Sequence, residues 1–271
     1  MKLIRSRDNP FFKELIKLAG SARQRGKANQ TLLDGAHLLA AYLDAGMLPQ
    51  HILLNMAALR DDETTALIER AGDVPITQLD DKLFAELSEL KTPTGILALI
   101  DLPQPAVSAA DSNFALLLED IQDPGNLGSM LRSAAAAGCD AVFLSKGCAD
   151  AWSPKVLRAA MGGHFALRIY EQQDLKAVNK AFSGTLLAAS LQATHSLYDC
   201  DLRGNIAFMI GNEGAGLSDE LLNLATRQIA IPMPGKVESL NAAAAAAVCL
   251  FEAARQRAGI CRGEIHRAPM T

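Results

Sequence analysis

Hydrophobic and polar positions divide the chain into two stretches of alternating strand-like and helix-like pattern. Between residues 9 and 20, Phe11, Phe12, Leu15, Ile16 and Leu18 recur at helical spacing and predict an amphipathic helix. The polar, basic run from Ser21 to Lys27 reads as a loop. Strands are then expected at 31–33, 51–54, about 74–77 and 95–100, with helices at 35–45, 62–71 and 80–87. Elements of this length and order predict a small α/β/α sandwich of about 100 residues.

Residues 101–113 lose all periodicity and carry Pro103 and Pro105 among small polar residues, as an interdomain linker does. The expected organisation is a domain over 1–101, a linker over 102–113 and a second domain over 114–271. In the latter, apolar runs at 114–118, 141–144, 164–169, 186–191, 206–210 and 228–231 alternate with helical patterns at 127–137, 154–161, 174–182 and 219–225. An alanine-rich helix beginning near Ala242 ends the pattern. Strands apolar on both faces predict a mostly parallel sheet covered by helices on each side.

Composition narrows the picture. The chain has 271 residues, 49% hydrophobic and 21% charged, an ordinary globular mixture. No apolar stretch approaches the roughly 18–20 residues that cross a bilayer, and residues 1–7 lack the features of a secretory signal, so a cytoplasmic, membrane-free protein is expected. Five cysteines and five histidines show no paired ligand spacing; neither a metal nor a disulfide framework is implied.

The net charge of −4 hides an asymmetry: Lys2, Arg5, Arg7, Lys13, Lys17, Arg23, Arg25 and Lys27 face only Asp8 and Glu14 in the first 30 residues. That is either the solvated face of a helix or a phosphate-attracting patch. Arg255, Arg257, Arg262 and Arg267 read as a solvated basic end.

Chemistry concentrates at three strand ends of the second half. They are Asp123-Pro124-Gly125-Asn126-Leu127-Gly128 with Arg132 beyond, Ile210-Gly211-Asn212-Glu213-Gly214-Ala215-Gly216-Leu217-Ser218, and Ile231-Pro232-Met233-Pro234-Gly235 with Ser239-Leu240-Asn241. Strand ends leave backbone groups free for a ligand, and glycines admit close approach. Neither a GxGxxG turn after the first strand nor a GxxxxGK[ST] loop is present, which counts against a nucleotide-using dehydrogenase or a phosphate-loop enzyme.

In this order, the three segments resemble the motifs of the SpoU/TrmH family of RNA ribose 2′-O-methyltransferases, within the SPOUT superfamily. The resemblance covers most of 115–255, and the first half is similar to the ribosomal-protein-like RNA-binding extension that precedes such domains. It implies a C-terminal trefoil knot, S-adenosylmethionine bound in the knot crevice, and a homodimer paired through the knotted domain.

It also implies site residues. Gly211, Ile231, Met233 and Leu240 are expected to hold the cofactor, and Asn126, Arg132, Glu213, Ser239 and Asn241 to form the catalytic set. Arg23, Arg25 and Lys27 become candidate RNA contacts. Arginine stays protonated below a pH of about 12, so Arg132 is expected to clamp phosphate and stabilise a developing alkoxide, with Glu213 orienting either Arg132 or a substrate group. Asn126 and Ser239 also fit helix N-caps. Ribosomal RNA is the expected substrate; transfer RNA, or a non-catalytic RNA-binding assembly role, is the alternative.

Overall fold

The first helix begins where its capping chemistry dictates. Asn9 Oδ1 accepts from the N–H groups of Phe11 and Phe12, and Pro10 occupies the first helical turn of α1 (Pro10–Gly20). A computed structural model describes residues 2–90, 94–105 and 111–259. Two units divide the chain: one takes residues up to Gln104 together with Asp150–Ala166, the other Pro105–Ala149 and the chain from Leu167 onward. The expected uninterrupted domain over 114–271 is therefore broken. The crossover segment 150–166 belongs by its contacts to the first unit.

In the first unit, β1 (Lys2–Ile4), β2 (Gln30–Asp34), β3 (His51–Leu54), β4 (Ile76–Leu79) and β5 (Ile96–Asp101) form a sheet in the order β1-β4-β3-β5-β2. β5 runs antiparallel to both neighbours, whereas β1, β4 and β3 are parallel. Alternate side chains explain the layering. Leu32, Leu53, Leu97 and Leu99 join Phe12, Leu15 and Leu18 of α1 and Phe84 and Leu87 of α5 (Asp81–Leu87) in one buried cluster. Leu33, Leu54, Ala98 and Ile100 are buried on the opposite side, where α3 (Ala36–Asp44) packs on β2 and β5 and α4 (Asp62–Ala71) packs on α3.

The expected loop at 21–27 is a helix, α2 (Ala22–Ala28), capped by Ser21 Oγ accepting from Gln24 N–H. Its Arg25 corrects a second expectation. Arg25 is only 5% exposed. Nε and Nη2 donate to Asp150 Oδ2 at 2.9 and 2.5 Å, and Nη1 donates to the carbonyls of Leu18 and Ala19 at 2.5 and 3.0 Å. Those carbonyls lie in the last turn of α1 and have no partner within the helix, so the guanidinium completes that terminus while neutralising Asp150. Arg25 is a structural brace with no free face for RNA. Arg23 and Lys27 are exposed.

Segment 150–166 extends this brace through α7 (Pro154–Ala160). Thr31 Oγ1 donates to Trp152 O at 2.9 Å, and Phe165 meets Tyr42 edge-on at 5.1 Å. The strand expected to start at His164 does not form there. Residues 163–166 make a 3₁₀ turn, with His164 fully buried against Trp152 and bonded through Nε2 to Ala151 O at 2.7 Å. Burial pulls the His164 pKa down to about 4, so the ring is neutral and Nε2–H donates.

In the second unit, β6 (Phe114–Leu118), β7 (Ala141–Ser145), β8 (Arg168–Gln173), β9 (Thr185–Ala189), β10 (Ile206–Ile210) and β11 (Arg227–Ile229) form an all-parallel sheet in the order β11-β9-β10-β6-β7-β8. β6 and β10 are buried at every position, because helices cover both faces. Ala115, Leu117, Phe143 and Met209 pack with α8 (Leu175–Ala181) and α9 (Asp219–Leu224). α6 (Pro124–Ala136) packs against α10 (Ala242–Arg257), which also contacts β10.

The expected basic end is bound, not solvated, at Arg257. Its guanidinium lies 4.5 Å over the Phe114 ring and donates to the carbonyls of Leu202, Asn113 and Gly204. Arg255 pairs with Glu252 at 2.7 Å. Arg262 and Arg267 lie outside the described residues, as do positions 106–110 of the expected linker.

Candidate active site at the sheet switch point

From β6 the chain builds outward through β7 and β8, then returns to the other side of β6 with β9 and β10. Strand order therefore reverses between β6 and β10, and parallel sheets bind ligands beyond the carboxyl ends of the strands at such a point. Here those ends carry residues 119–126 and 211–218.

The two loops are fastened to each other. Glu119 accepts from the Ser218 N–H at 2.7 Å and from its hydroxyl at 2.8 Å. Asn212 Nδ2 donates to Asp120 O at 2.9 Å, while its Oδ1 takes the N–H groups of Gly214 and Ala215 at 2.9 and 3.0 Å. Asp120 adopts φ 55°, and its carboxylate accepts from Ser145 Oγ at 2.6 Å, which ties in the end of β7. A Cβ on Gly211 would overlap the main chain of Gly216 and Leu217. That glycine serves the loop's own closure, an approach of backbone to backbone.

Onto this frame the structure brings Asn126, Glu213 and Asn241 together. Asn126 Nδ2 donates to Glu213 Oε1 at 2.7 Å, and Asn241 Nδ2 donates to Asn126 Oδ1 at 3.0 Å. Neither expected capping alternative holds. Asp123 caps α6, accepting from Asn126 N–H at 2.7 Å, which leaves the Asn126 amide free for the site. Asn241 rather than Ser239 caps α10, accepting from the N–H groups of Ala243 and Ala244. Glu213 reaches Asn126 rather than Arg132, and it is exposed, not buried.

Arg132 and Ser239 are exposed, and their side chains make no hydrogen bond to another described residue. Arg132 stands six residues beyond Asn126 on α6, about 9 Å further along the axis at the usual helical rise. Its five donors remain available.

The candidate cofactor positions differ in environment. Gly211 is buried, Ile231 and Met233 half-buried, and Leu240 38% exposed. Leu191, two residues past β9, is 67% exposed and was not anticipated from the pattern. Uncovered apolar side chains at the ends of strands suit a ring that needs walls. No backbone hydrogen bond engages 231–240 among the described residues, so those amides and carbonyls are available to a ligand edge. An adenosyl group fits this combination. A separate open cleft of ≈ 530 Å³, lined by Glu119, Asp120, Ser145, Lys146, Lys176 and Ser218, lies beside the clamped loop and does not include the Asn126 cluster.

A parallel α/β sheet with a polar side-chain cluster at its switch point defines a ligand-binding α/β domain. The family model for the SpoU rRNA methylase family matches residues 113–251, and a model described as an MRM3-like substrate binding domain matches residues 9–98. The chain belongs to the SpoU rRNA methylase family. It is 36% identical to an uncharacterised tRNA/rRNA methyltransferase of Synechocystis, over 94% of each chain. It is 34% identical to the 23S rRNA (guanosine(2553)-2′-O)-methyltransferase RlmP of Bacillus subtilis, over 93% of this chain and 98% of RlmP. Among solved structures, AviRb of Streptomyces viridochromogenes in complex with AdoMet superposes with TM-score 0.80 at 26% identity, over 93% of this chain and all of that one.

Proposed function

We propose that this chain transfers a methyl group from S-adenosylmethionine to a ribose 2′-hydroxyl of ribosomal RNA. The carrying observation is the convergence of Asn126, Glu213 and Asn241, with an uncommitted Arg132 further along α6, in a chain of a family whose member RlmP is named for that reaction. Gly211, Ile231, Met233, Leu240 and Leu191 would hold the adenosyl group. When bound, the sulfonium supplies an electrophilic methyl, so the protein's task is to orient the attacking oxygen.

Arg132 binds the phosphate next to the target ribose and stabilises negative charge growing on its oxygen. Asn126 and Glu213 form the polar wall that receives the hydroxyl, with Ser239 at its rim. Arg23 and Lys27, exposed and without ion pairs among the described residues, attract the RNA backbone. The C-terminal trefoil knot belongs to this proposal, supported by membership of the SpoU rRNA methylase family. So do a homodimer through the knotted domain, on the strength of the family alone, and action on ribosomes in the cytoplasm. No helix among the described residues is long and apolar enough to cross a membrane.

Arg132→Ala provides the test. The rate of ribose methylation should fall by about 10²–10³-fold, with S-adenosylhomocysteine affinity and melting midpoint unchanged. Methylation mapped in total RNA should show a ribosomal position that disappears without the wild-type protein. Full activity of the variant, or a methylation map that does not change, would refute the proposal.

A further inference from the structure

The hydrogen bonds of the Asn126 cluster admit one self-consistent polarity. The N–H groups of Ala243 and Ala244 in the first turn of α10 only donate, so Asn241 must turn Oδ1 toward them, at 2.9 and 3.3 Å. Its Nδ2 then faces Asn126 and only donates, at 3.0 Å, which obliges Asn126 to present Oδ1. Asn126 Nδ2 is left for Glu213 Oε1 at 2.7 Å, so that oxygen is the acceptor. Each step follows from the donor inventory of the groups, and none depends on telling nitrogen from oxygen in an amide.

We infer that Asn241 is a positioning residue: by capping α10 it sets the amide direction of Asn126, and through Asn126 it reserves Glu213 Oε1 as an acceptor. Asn241 and Glu213 are coupled through the amide between them. Glu213 Oε2 makes no hydrogen bond among the described residues and stays available on an exposed side chain. The relay also joins the loops after β6 and β10 to the start of α10, so its polarity decides whether all three close together. The functional consequence rests on the methyltransferase reading; the relay rests on geometry alone.

The test inverts the relay. Asn241→Asp preserves the cap, since aspartate caps as well as asparagine, but places an acceptor where Nδ2 stood. Asn126 must then turn over to donate to it, which sets its Oδ1 against the Glu213 carboxylate. Glu213→Gln in the same chain supplies an Nε2 donor to that oxygen and satisfies the whole relay in reverse.

Calorimetry with S-adenosylhomocysteine should show binding about tenfold weaker for Asn241→Asp and within about threefold of wild type for the double variant, the signature of coupled residues. With Asn241→Ser, which caps but ends the relay, Glu213→Gln should give no rescue. A role limited to capping predicts no loss for Asn241→Asp at all. Losses that multiply in the double variant, or an undiminished Asn241→Asp, would overturn the inference. Melting midpoints run on the same variants should follow the same pattern. They read the relay without ligand, so a wild-type chain that does not bind S-adenosylhomocysteine refutes the proposed function while the relay is still decided.

Discussion

Residues 211–218 and 231–240 both belong to the proposed site, yet they are built in opposite ways. The first loop is clamped at one end by Asn212 on Asp120 O, at the other by Ser218 on Glu119, and closed internally by the Asn212–Gly216 bridge. The second follows β11, is exposed at nearly every position from Pro232 to Leu240, and has no hydrogen bond within the described residues. The difference teaches where recognition and construction separate. A loop that satisfies its own polar groups presents a finished wall. One that leaves them to water has low local stability and gains partners only when a ligand arrives.

The sharpest way to break the first half of that contrast is Gly211→Ala. The added Cβ would occupy the space of the Gly216 and Leu217 main chain, which cannot move aside as a flexible side chain would. The loop must open, and Glu213 with it. We expect S-adenosylhomocysteine affinity, measured by calorimetry, to fall by at least roughly 100-fold, corresponding to about 3 kcal/mol. Near-wild-type affinity would mean the loop is not the rigid member of the pair.

A gentler probe is Glu119→Gln, which keeps the shape of the clamp and removes the charge behind its two bonds to Ser218. Glu119 is half-buried, so the loss should be about 1 kcal/mol, or roughly fivefold in affinity. Ser218→Ala also removes the cap of α9, where Ser218 Oγ accepts from the Leu221 N–H, so the double variant should lose no more than Ser218→Ala alone. Fully additive losses would show that Glu119 acts elsewhere.

Glu119 also marks the border of what was legible in advance. The buried strands of the second unit announce themselves as apolar runs, since a parallel sheet covered on both faces needs no alternation. The three motifs were readable because glycine and amide positions cluster after strands. Which partner each side chain chooses was not readable: Glu213 takes Asn126, and Asn241 takes the cap that Ser239 also fitted, by distances that only the fold sets.

α2 was missed because Ala-Arg-Gln-Arg-Gly-Lys-Ala shows no apolar stripe; its one inward face belongs to Arg25. That arginine and Arg23 are indistinguishable by composition. Asp150, 125 positions away, separates them by burying one and leaving the other in water. The same long-range contact explains why 150–166 counts with the first unit, a fact without local sequence signature.

The smallest expected effect sharpens the comparison most economically, because it repeats the Gly211 substitution in the open segment. Nothing lies within 4 Å of a Cβ placed on Gly235, and its backbone is outside the left-handed region, so alanine meets neither a clash nor strain there. Gly235→Ala should leave the melting midpoint unchanged. Fewer accessible conformations in an open segment favour the ordered form by only about 0.4–1 kcal/mol, so S-adenosylhomocysteine should bind as well as before or up to about fivefold more tightly. The same one-carbon addition thus disrupts 211–218 and is absorbed by 231–240. If Gly235→Ala instead weakens the ligand tenfold or more, the ligand itself must press against that glycine, and 231–240 would be as closely fitted as its clamped counterpart.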